Sequence, residues 1–280
     1  MNKAYSGLFR LFHFLINAII MVFSLSCIFP IFWMINASLR DNRDFMADPT
    51  GIVKIPLFHN YIDALLTGNL WRAFLNSAYL SILTVLLVIL FSFVVGFMIS
   101  RYHFIGSRII YILFLAGMLV PILSLMIPVF IEFKTLGIAN QWFTLLFPYT
   151  AFGLSLAVIL MENFIKTLPV ELDEAAYLEG SGTLPLMFRI IFPLTRPILF
   201  VITITSFIGA WNEYPFSLIL VSNMNLRTIS IGIRLFGQAH SFNYTLYFAA
   251  LVISIAPILV LYSCFSKHIV KGMTMGAIKG

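Results

Sequence analysis

Long uncharged apolar stretches alternate with short polar connections along the whole chain. Six stretches contain no Asp, Glu, Lys or Arg except for Glu213 in the fifth: Leu11–Leu39, Ala73–Ser100, Ile109–Ile131, Thr135–Met161, Pro197–Leu226 and Leu235–Ser266. A helix needs about 20 mostly apolar residues to cross a bilayer core about 30 Å thick. The stretches are continuous rather than alternating, which excludes a transmembrane β-barrel. The pattern therefore predicts six membrane-spanning helices.

The predicted fold class is an all-α integral membrane protein, with one transmembrane domain over residues 1–280. The predicted spans cover approximately residues 11–36, 75–100, 109–131, 141–162, 197–220 and 243–266. The first is too long for the apolar core of a signal peptide and is interpreted as an uncleaved anchor. The chain is 61% hydrophobic and only 10% charged. A soluble domain of this length could not bury so much apolar surface.

The distribution of Lys and Arg predicts the orientation of the spans, because cytoplasmic loops carry an excess of positive charge. Six spans put both termini on one side. With the termini inside, ten Lys and Arg residues lie on inner segments and seven on outer segments, four of them in one long loop. The short inner connection with Arg101 and Arg108 is basic, and so is the C-terminal tail. Both termini are therefore expected to be cytoplasmic, and this orientation also explains the net charge of +6.

A charged segment, residues 167–196, interrupts the apolar pattern on the predicted cytoplasmic side. Its sequence ELDEAAYLEGSG begins after Pro169 and places acids in the first helical turn, where the helix dipole favours them. Gly180 and Gly182 end this helix, and Pro193 ends a second short one. The predicted pair of helices is suited to docking on a soluble protein. A helix that only lies on anionic lipid, the alternative, would carry a basic polar face.

Candidate chemistry other than transport is sparse in this sequence. It shows no nucleotide-binding motif, catalytic cluster or metal-ligand spacing. Cys27 and Cys264 both lie in predicted spans and are expected to be small buried apolar residues. We therefore expect a chain that is not an enzyme and that depends on partners for any energetic step.

The charged segment resembles the EAA motif of ABC-importer permeases. The match consists of Glu174-Ala175-Ala176, then Gly180 after three intervening residues, and Pro193. The family usually has Asp where this chain has Glu179, and Phe where it has Met187. Both departures are mild and leave a docking role in place.

Other parts of the chain resemble the carbohydrate branch of these importers, the maltose-type permease family. The matching residues are Asn60-Tyr61, the Phe-Leu-Asn-Ser at 74–77, Arg101 and Trp211-Asn212-Glu213. The C-terminal KGMTMGAIKG, residues 271–280, resembles the GLTAGAVKG tail of the same family. The resemblance covers nearly the whole chain.

The resemblance implies a multi-pass subunit of the prokaryotic cytoplasmic membrane that imports a sugar or oligosaccharide. The implied partners are a homologous second permease, two ATPases and an extracytoplasmic solute-binding protein, with no nucleic acid. ATP and Mg²⁺ would be bound by the ATPases, and no cofactor by this chain. The residues implied in ATPase coupling are Glu174, Ala175, Ala176, Glu179, Gly180 and Pro193, and the tail residues implied at the ATPase interface are Gly272, Gly276, Lys279 and Gly280.

Glu213 is the only acid within the six apolar stretches. Sixteen residues beyond Pro197, at about 1.5 Å each, place it roughly 24 Å above the inner face, in the outer third of the bilayer. With Trp211 and Asn212 it could shape an outer gate or the sugar path. A structural residue paired with Asn212 or a neighbouring helix is the alternative interpretation.

The last outer connection, Ser222–Tyr244, is the predicted contact loop for the binding protein, through Gly237, Gln238 and Asn243. His240 in the same loop is expected to be solvated surface rather than a ligand contact.

Three other functions remain open at this stage. A permease of the same superfamily for a non-sugar solute would share the coupling motif but lack the tail pattern. An ion-coupled secondary transporter should show a relay of intramembrane acids or histidines, and the apolar stretches offer only Glu213. A membrane scaffold without transport would leave the acidic two-helix segment unexplained.

Overall fold

A computed structural model of the protein describes residues 2–102, 104–239 and 243–277. These residues form helices joined by loops and contain no β-strand, so the all-α prediction is confirmed. The helices are α1 Asn2–Ser38, α2 Asn42–Ala47, α3 His59–Leu66, α4 Leu70–Arg101, α5 Ser107–Gly117, α6 Met126–Thr135, α7 Leu146–Lys166, α8 Glu171–Leu178, α9 Thr183–Pro185, α10 Phe192–Leu194, α11 Arg196–Asn212, α12 Pro215–Leu220, α13 Ile229–Ala239 and α14 Tyr244–Ala277. A π-helical stretch, Leu186–Ile191, joins α9 to α10.

Four of the described helices are long and apolar enough to cross a membrane alone. They correspond to Phe12–Ser38, Leu70–Arg101, Leu146–Lys166 and Tyr244–Phe265. Two further helix pairs pass the same test only when taken together, Ser107–Gly117 with Ile122–Thr135 and Thr183–Leu194 with Arg196–Asn212. The described residues thus contain four to six candidate spans.

The stretch predicted as one span over residues 109–131 is two helices that meet at a bend of 96°. Pro121 lies at the break with an extended backbone, φ −64° and ψ 116°, and a short 3₁₀ turn follows it. Proline has no N–H to continue a helix, and it pushes the preceding residue out of helical geometry. At the break, the Pro121 carbonyl accepts hydrogen bonds from both the backbone N–H and the hydroxyl of Ser124.

The chain divides into two compact units, one formed by Met1–Gly68 with Leu235–Ser254 and the other by Asn69–Arg234 with Ile255–Gly280. In the second unit α4 and α7 lie side by side and run parallel. A Cβ placed on Gly96 of α4 would be 2.9 Å from Met161 of α7, and one on Gly153 of α7 would be 3.0 Å from Val88 of α4. Glycine thus allows both close approaches.

Helix α11 packs on the same pair and runs in the opposite direction. Its C-terminal Trp211 contacts Phe74 at the beginning of α4, with ring centroids 5.4 Å apart. Nearer its N-terminus, Ile202 is buried in one cluster with Phe93 of α4 and Ile165 of α7. The C-terminal ends of α4 and α7 therefore lie at the same end of the unit as the beginning of α11.

Both cysteines are exposed on the surface of the chain, not buried as the sequence suggested. The reason is that α1 and α14 pack against little of the chain. None of the most apolar window of α1 is buried, and only 11% of that of α14. Apolar side chains of such helices are covered by lipid or by other subunits rather than by their own chain.

In the first unit, the loop after α1 is organised around the buried guanidinium of Arg40. Its nitrogens donate to Asp44 Oδ2 at 2.7 Å, to the Asp48 carbonyl at 2.7 Å and to the Gly51 carbonyl at 3.0 Å. The Asn60 side-chain amide donates to the Arg40 carbonyl at 3.0 Å. One arginine thus replaces the regular backbone pairing that this loop lacks.

Replacing Arg40 with alanine should loosen the loop between α1 and α3. The substitution removes the charged donor of the Asp44 carboxylate and of the Asp44, Asp48 and Gly51 carbonyls, and each carbonyl keeps one weaker donor, at a cost of about 3 kcal/mol. Limited proteolysis of the purified protein should then cleave within residues 41–58 much faster than in the wild type. Arg43→Ala, at an exposed position of α2, is the matched control, and equal cleavage of the two variants would contradict this role.

Candidate coupling site

Helix α8 begins directly after Pro169 and carries Glu171, Asp173 and Glu174 in its first turn. It ends in a Schellman motif, in which the Ser181 N–H donates to the Ala176 carbonyl at 2.9 Å and the Gly180 N–H to the Tyr177 carbonyl at 3.0 Å. Gly180 has φ +81°, and a Cβ placed there would meet nothing within 4 Å. The turn therefore requires glycine for its backbone conformation, while the space beside it is open.

The second half of the segment, from Thr183 to Leu194, is anchored in the core of the unit. Leu186, Met187 and Ile191 are buried in the cluster that contains Phe97 of α4 and Met161 of α7. The stretch Leu186–Ile191 is π-helical just before Pro193. A proline clashes with the carbonyl four residues earlier in a regular helix, and a wider turn relieves that clash.

The segment has one face against the spans and one face toward solvent. Ala176 is only 4% exposed and packs in the core, and Asp173 is also buried. Leu178 and Leu184 are 89% and 66% exposed, which is unusual for leucine in a polar segment. Of the residues that the motif assigns to coupling, Ala176 faces the core, whereas the other five are exposed: Glu174, Ala175, Glu179, Gly180 and Pro193.

An ion pair that the motif did not reveal fixes α8 to the end of α4. Arg101 Nε lies 2.9 Å from Asp173 Oδ2, and both side chains are largely buried. The same guanidinium donates to the Leu168 carbonyl at 3.2 Å. Next to this pair, the Tyr102 and Tyr177 hydroxyls are hydrogen-bonded at 2.8 Å.

Burial raises the pKa of the Asp173 carboxyl, and the neighbouring Arg101 guanidinium opposes the rise. A carboxyl whose pKa is raised on folding binds its proton more tightly in the folded state. Its contribution to stability is therefore lost as the pH rises through that pKa. Once ionised, the Asp173 carboxylate depends on Arg101 as its partner.

At the opposite end of the same helices, Glu213 joins α11 to α12. Its carboxylate accepts hydrogen bonds from the Tyr149 hydroxyl at 2.8 Å, the Phe216 N–H at 2.6 Å and the Ser217 N–H at 3.0 Å. The acid therefore caps the N-terminus of α12 and ties it to α7. The Ser230 hydroxyl donates to the Glu213 carbonyl at 2.7 Å.

Trp211 and Asn212, predicted beside Glu213 in a gate or sugar path, have different surroundings. Trp211 is 1% exposed, stacked on Phe207 with centroids 5.5 Å apart. Its ring faces are thus occupied by this chain, and in this conformation Trp211 is part of the core. Asn212 is exposed.

The remaining predicted sites lie on α13, on α14 and just before α14. Gly237 and Gln238 lie on α13, and Asn243 precedes α14, where its side chain accepts from the Leu246 N–H at 3.1 Å. Gly272 and Gly276 lie on α14. Lys279, Gly280 and His240 lie outside the described residues.

Comparison with known proteins identifies the family of this chain. The family described as binding-protein-dependent transport system inner membrane component matches residues 89–275, which include α8 and the whole segment around it. The chain belongs to this family. The match also includes Arg101, Glu213 and most of α14.

Relatives of this permease are similar over nearly their full length. The trehalose/maltose transport system permease protein MalG of Thermococcus litoralis is 34% identical over 95% of this chain and 96% of its own. The diacetylchitobiose uptake system permease protein NgcG of Streptomyces coelicolor is 26% identical over 96% and 90%. A crystal structure of a bacterial ABC transporter that imports the acidic polysaccharide alginate has a chain with the same fold. Its TM-score is 0.78, at 22% identity, with 92% of this chain and 96% of that chain covered.

Glu162 is the last residue of the predicted span 141–162, but it was not recognised as a buried acid of the permease because the fourth uncharged stretch stops at Met161. Helix α7 continues to Lys166, so Glu162 lies inside it and is 3% exposed. Its carboxylate pairs with Lys166 one turn later. The i, i+4 spacing of Glu and Lys was the available signal.

The ion pair of α8 gives a double-mutant test. Arg101→Ala leaves a buried carboxylate alone and should weaken the docking of the segment by about 3 kcal/mol at pH 7. Asp173→Asn should weaken the docking less, because the Arg101 guanidinium still donates to the Leu168 carbonyl. The double variant should be more stable than Arg101→Ala, and lowering the pH to 5 should rescue Arg101→Ala as Asp173 takes up a proton. Hydrogen exchange of residues 171–194 measures the docking. If the effects of the two single substitutions on docking simply add in the double variant, and if lowering the pH does not restore docking of Arg101→Ala, the ion pair does not hold the segment.

Glu213 should stabilise the end of the unit opposite α8. Glu213→Ala leaves two backbone N–H groups and the Tyr149 hydroxyl without an acceptor, so unfolding free energy should fall by about 3 kcal/mol. Glu213→Gln keeps one carbonyl oxygen as an acceptor, so its unfolding free energy should fall less. Thermal unfolding in detergent reports both, with the exposed Asn212→Ala as the control. Unchanged unfolding of Glu213→Ala would show that the cap contributes nothing.

Proposed function

We propose that this chain is a transmembrane subunit of an ATP-binding-cassette importer that carries a sugar or oligosaccharide into the cell. The observation that carries the proposal is the segment 167–196, which is fixed to the spans on one face and free on the other. The exposed acids and leucines are suited to a groove on a soluble subunit. A charge-assisted hydrogen bond from Glu174 to a basic residue of the ATPase would contribute about 1.5–3 kcal/mol.

The proposed topology has six crossings, with each bent helix pair counted as one span and both termini in the cytoplasm. Basic residues support this orientation, since Arg101, Lys166, Arg189 and Arg196 belong to the end that carries α8. The excess of positive charge at that end is typical of a cytoplasmic face.

The mechanism follows from how α8 is held. When partner ATPases close, the docked segment moves with them, and the Arg101–Asp173 pair pulls on the end of α4. The buried Leu186 and Ile191 transmit the same displacement to α7 and α11, because a packed core moves as a body rather than deforming. ATP and Mg²⁺ belong to the ATPases in this scheme, and the tail residues Gly272, Gly276, Lys279 and Gly280 would add a second contact to them.

The sugar assignment is supported by relatives whose names specify trehalose/maltose, diacetylchitobiose and melibiose/raffinose/stachyose transport. One solved structure holds the alginate transporter in complex with an alginate pentasaccharide-bound periplasmic protein. We place the contact of this chain with its own binding protein at Gly237, Gln238 and Asn243. Asn212 and Glu213 are placed on the sugar path, with Trp211 supporting them from the core.

Co-purification tests the proposed assembly directly. The complex should be isolated in mild detergent through a tag on this chain, and every associated chain identified by mass spectrometry. We expect an ATPase with a phosphate-binding loop, a second permease and an extracytoplasmic binding protein. A chain that is isolated alone and moves solute under an ion gradient would contradict the proposal.

Gly180→Leu should uncouple ATP hydrolysis from transport without unfolding the spans. A leucine at φ +81° costs about 1–2 kcal/mol in backbone strain and fills the open side of the turn. Gly137 offers a matched control, since it also ends a helix, with φ +69° and nothing within 4 Å of a Cβ. We expect Gly137→Leu to transport normally and Gly180→Asn, which tolerates this backbone, to lose less than Gly180→Leu. Normal transport by Gly180→Leu would overturn the assignment.

A further inference from the structure

A cavity of about 250 Å³ lies between α7, α11 and the break after Pro121. Tyr149, Phe152, Gly153 and Leu156 form one stripe along α7 by i, i+3, i+4 and i+7 spacing. On α11 the facing residues include Thr205, Ser206, Gly209 and Ala210, and Ile122 and Glu213 complete the lining. Small residues on both helices leave the space open.

The lining combines an apolar wall with a wall of hydrogen-bond acceptors. Ile122, Phe152 and Leu156 form the apolar side. The carboxylate of Glu213 accepts three hydrogen bonds within the chain. A carboxylate has about four acceptor sites, so one remains for a further donor. The Tyr149 hydroxyl donates to Glu213 and is also hydrogen-bonded to the Ser217 side chain, so one lone pair of its oxygen remains to accept.

Thr205 adds a third acceptor to the same wall. Thr205 is exposed, and its hydroxyl donates its hydrogen to the Val201 carbonyl at 2.9 Å. The lone pairs of the hydroxyl oxygen are therefore available to accept a hydrogen bond from a ligand. No lysine or arginine is among the ten lining residues described. A ligand with a carboxylate would meet acceptors and the charge of Glu213 without a cation. A neutral ligand with several hydroxyl donors and an apolar face matches both walls.

From these features, and resting on the proposed function, we propose that the cavity is a subsite for one neutral sugar unit on the transport path. The volume is slightly below the 300–1,000 Å³ typical of sites for small molecules. It therefore fits a single ring rather than a whole oligosaccharide. The ring would lay its C–H face on Phe152 and direct hydroxyls to Glu213, Tyr149 and Thr205.

Gly209 makes the subsite testable without disturbing the packing. A Cβ on Gly209 would meet nothing within 4 Å, so a side chain there enters the cavity without a clash. Gly209→Leu should occupy the space that the sugar needs, whereas Gly209→Ala should occupy little of it. Ala151→Leu adds comparable bulk at an exposed position of α7 outside the lining and is the control.

The first experiment asks whether the cavity is open to water. Gly209→Cys is introduced after Cys27 and Cys264 are replaced by serine, and the intact complex is treated with the charged thiol reagent 2-(trimethylammonium)ethyl methanethiosulfonate. Labelling of Gly209→Cys is expected in at least one nucleotide state of the complex. Its absence in every state would mean that lipid or a partner helix fills the cavity and would overturn the subsite.

The second experiment measures uptake into proteoliposomes of radiolabelled trehalose, diacetylchitobiose and raffinose, delivered by the binding protein. For each sugar that enters with the wild type, Gly209→Leu should slow uptake at least tenfold, and Ala151→Leu should stay within twofold. Wild-type uptake that Gly209→Leu leaves unchanged would overturn the subsite alone. A wild-type complex that imports no sugar would overturn the proposed function, and the sugar assignment of the cavity with it.

Discussion

The pairing of Arg101 with Asp173 is the contact on which the arrangement of this permease depends. A segment that leaves the membrane to meet soluble subunits can transmit force only if it is held to the spans. The 2.9 Å pair holds α8 to the last residue of α4. The pair neutralises Asp173, the acid on the inward face of α8. The other three acids, Glu171, Glu174 and Glu179, are exposed on the outward face. One ion pair thus fixes the buried face of a helix of eight residues and leaves its other face exposed.

Helices α4, α7 and α11 connect the segment 167–196 to the opposite end of their unit. Contacts at Gly96 and Gly153 hold α4 and α7 in close parallel packing, and α11 completes the bundle. At the far end, Glu213 ties α11, α12 and α7 together through side-chain and backbone bonds. A displacement at α8 therefore has a continuous packed route to the cavity beside Glu213. A largely buried carboxylate is costly, and at Glu213 three donors and a helix N-terminus stabilise it.

Much of this organisation could be predicted from the sequence, because apolar length and helix-ending residues are local properties. The all-helical fold, the coupling motif and the glycine turn at Gly180 all follow from short stretches. The break after Pro121 was not predicted, since its 96° angle depends on what packs around it. The burial of Trp211 and the pairing of Arg101 depend on contacts between distant parts of the chain, and the role of Arg40 depends on the fold of an irregular loop. No periodicity encodes such contacts.

The most direct test of this account is sugar uptake by the reconstituted complex with its binding protein, measured against the energy source. Proteoliposomes would be loaded either with ATP and Mg²⁺ or with a non-hydrolysable ATP analogue, and a proton or sodium gradient would be imposed on a third set. The account predicts accumulation of labelled oligosaccharide only in the vesicles that hydrolyse ATP. Accumulation driven by an ion gradient without ATP would contradict it.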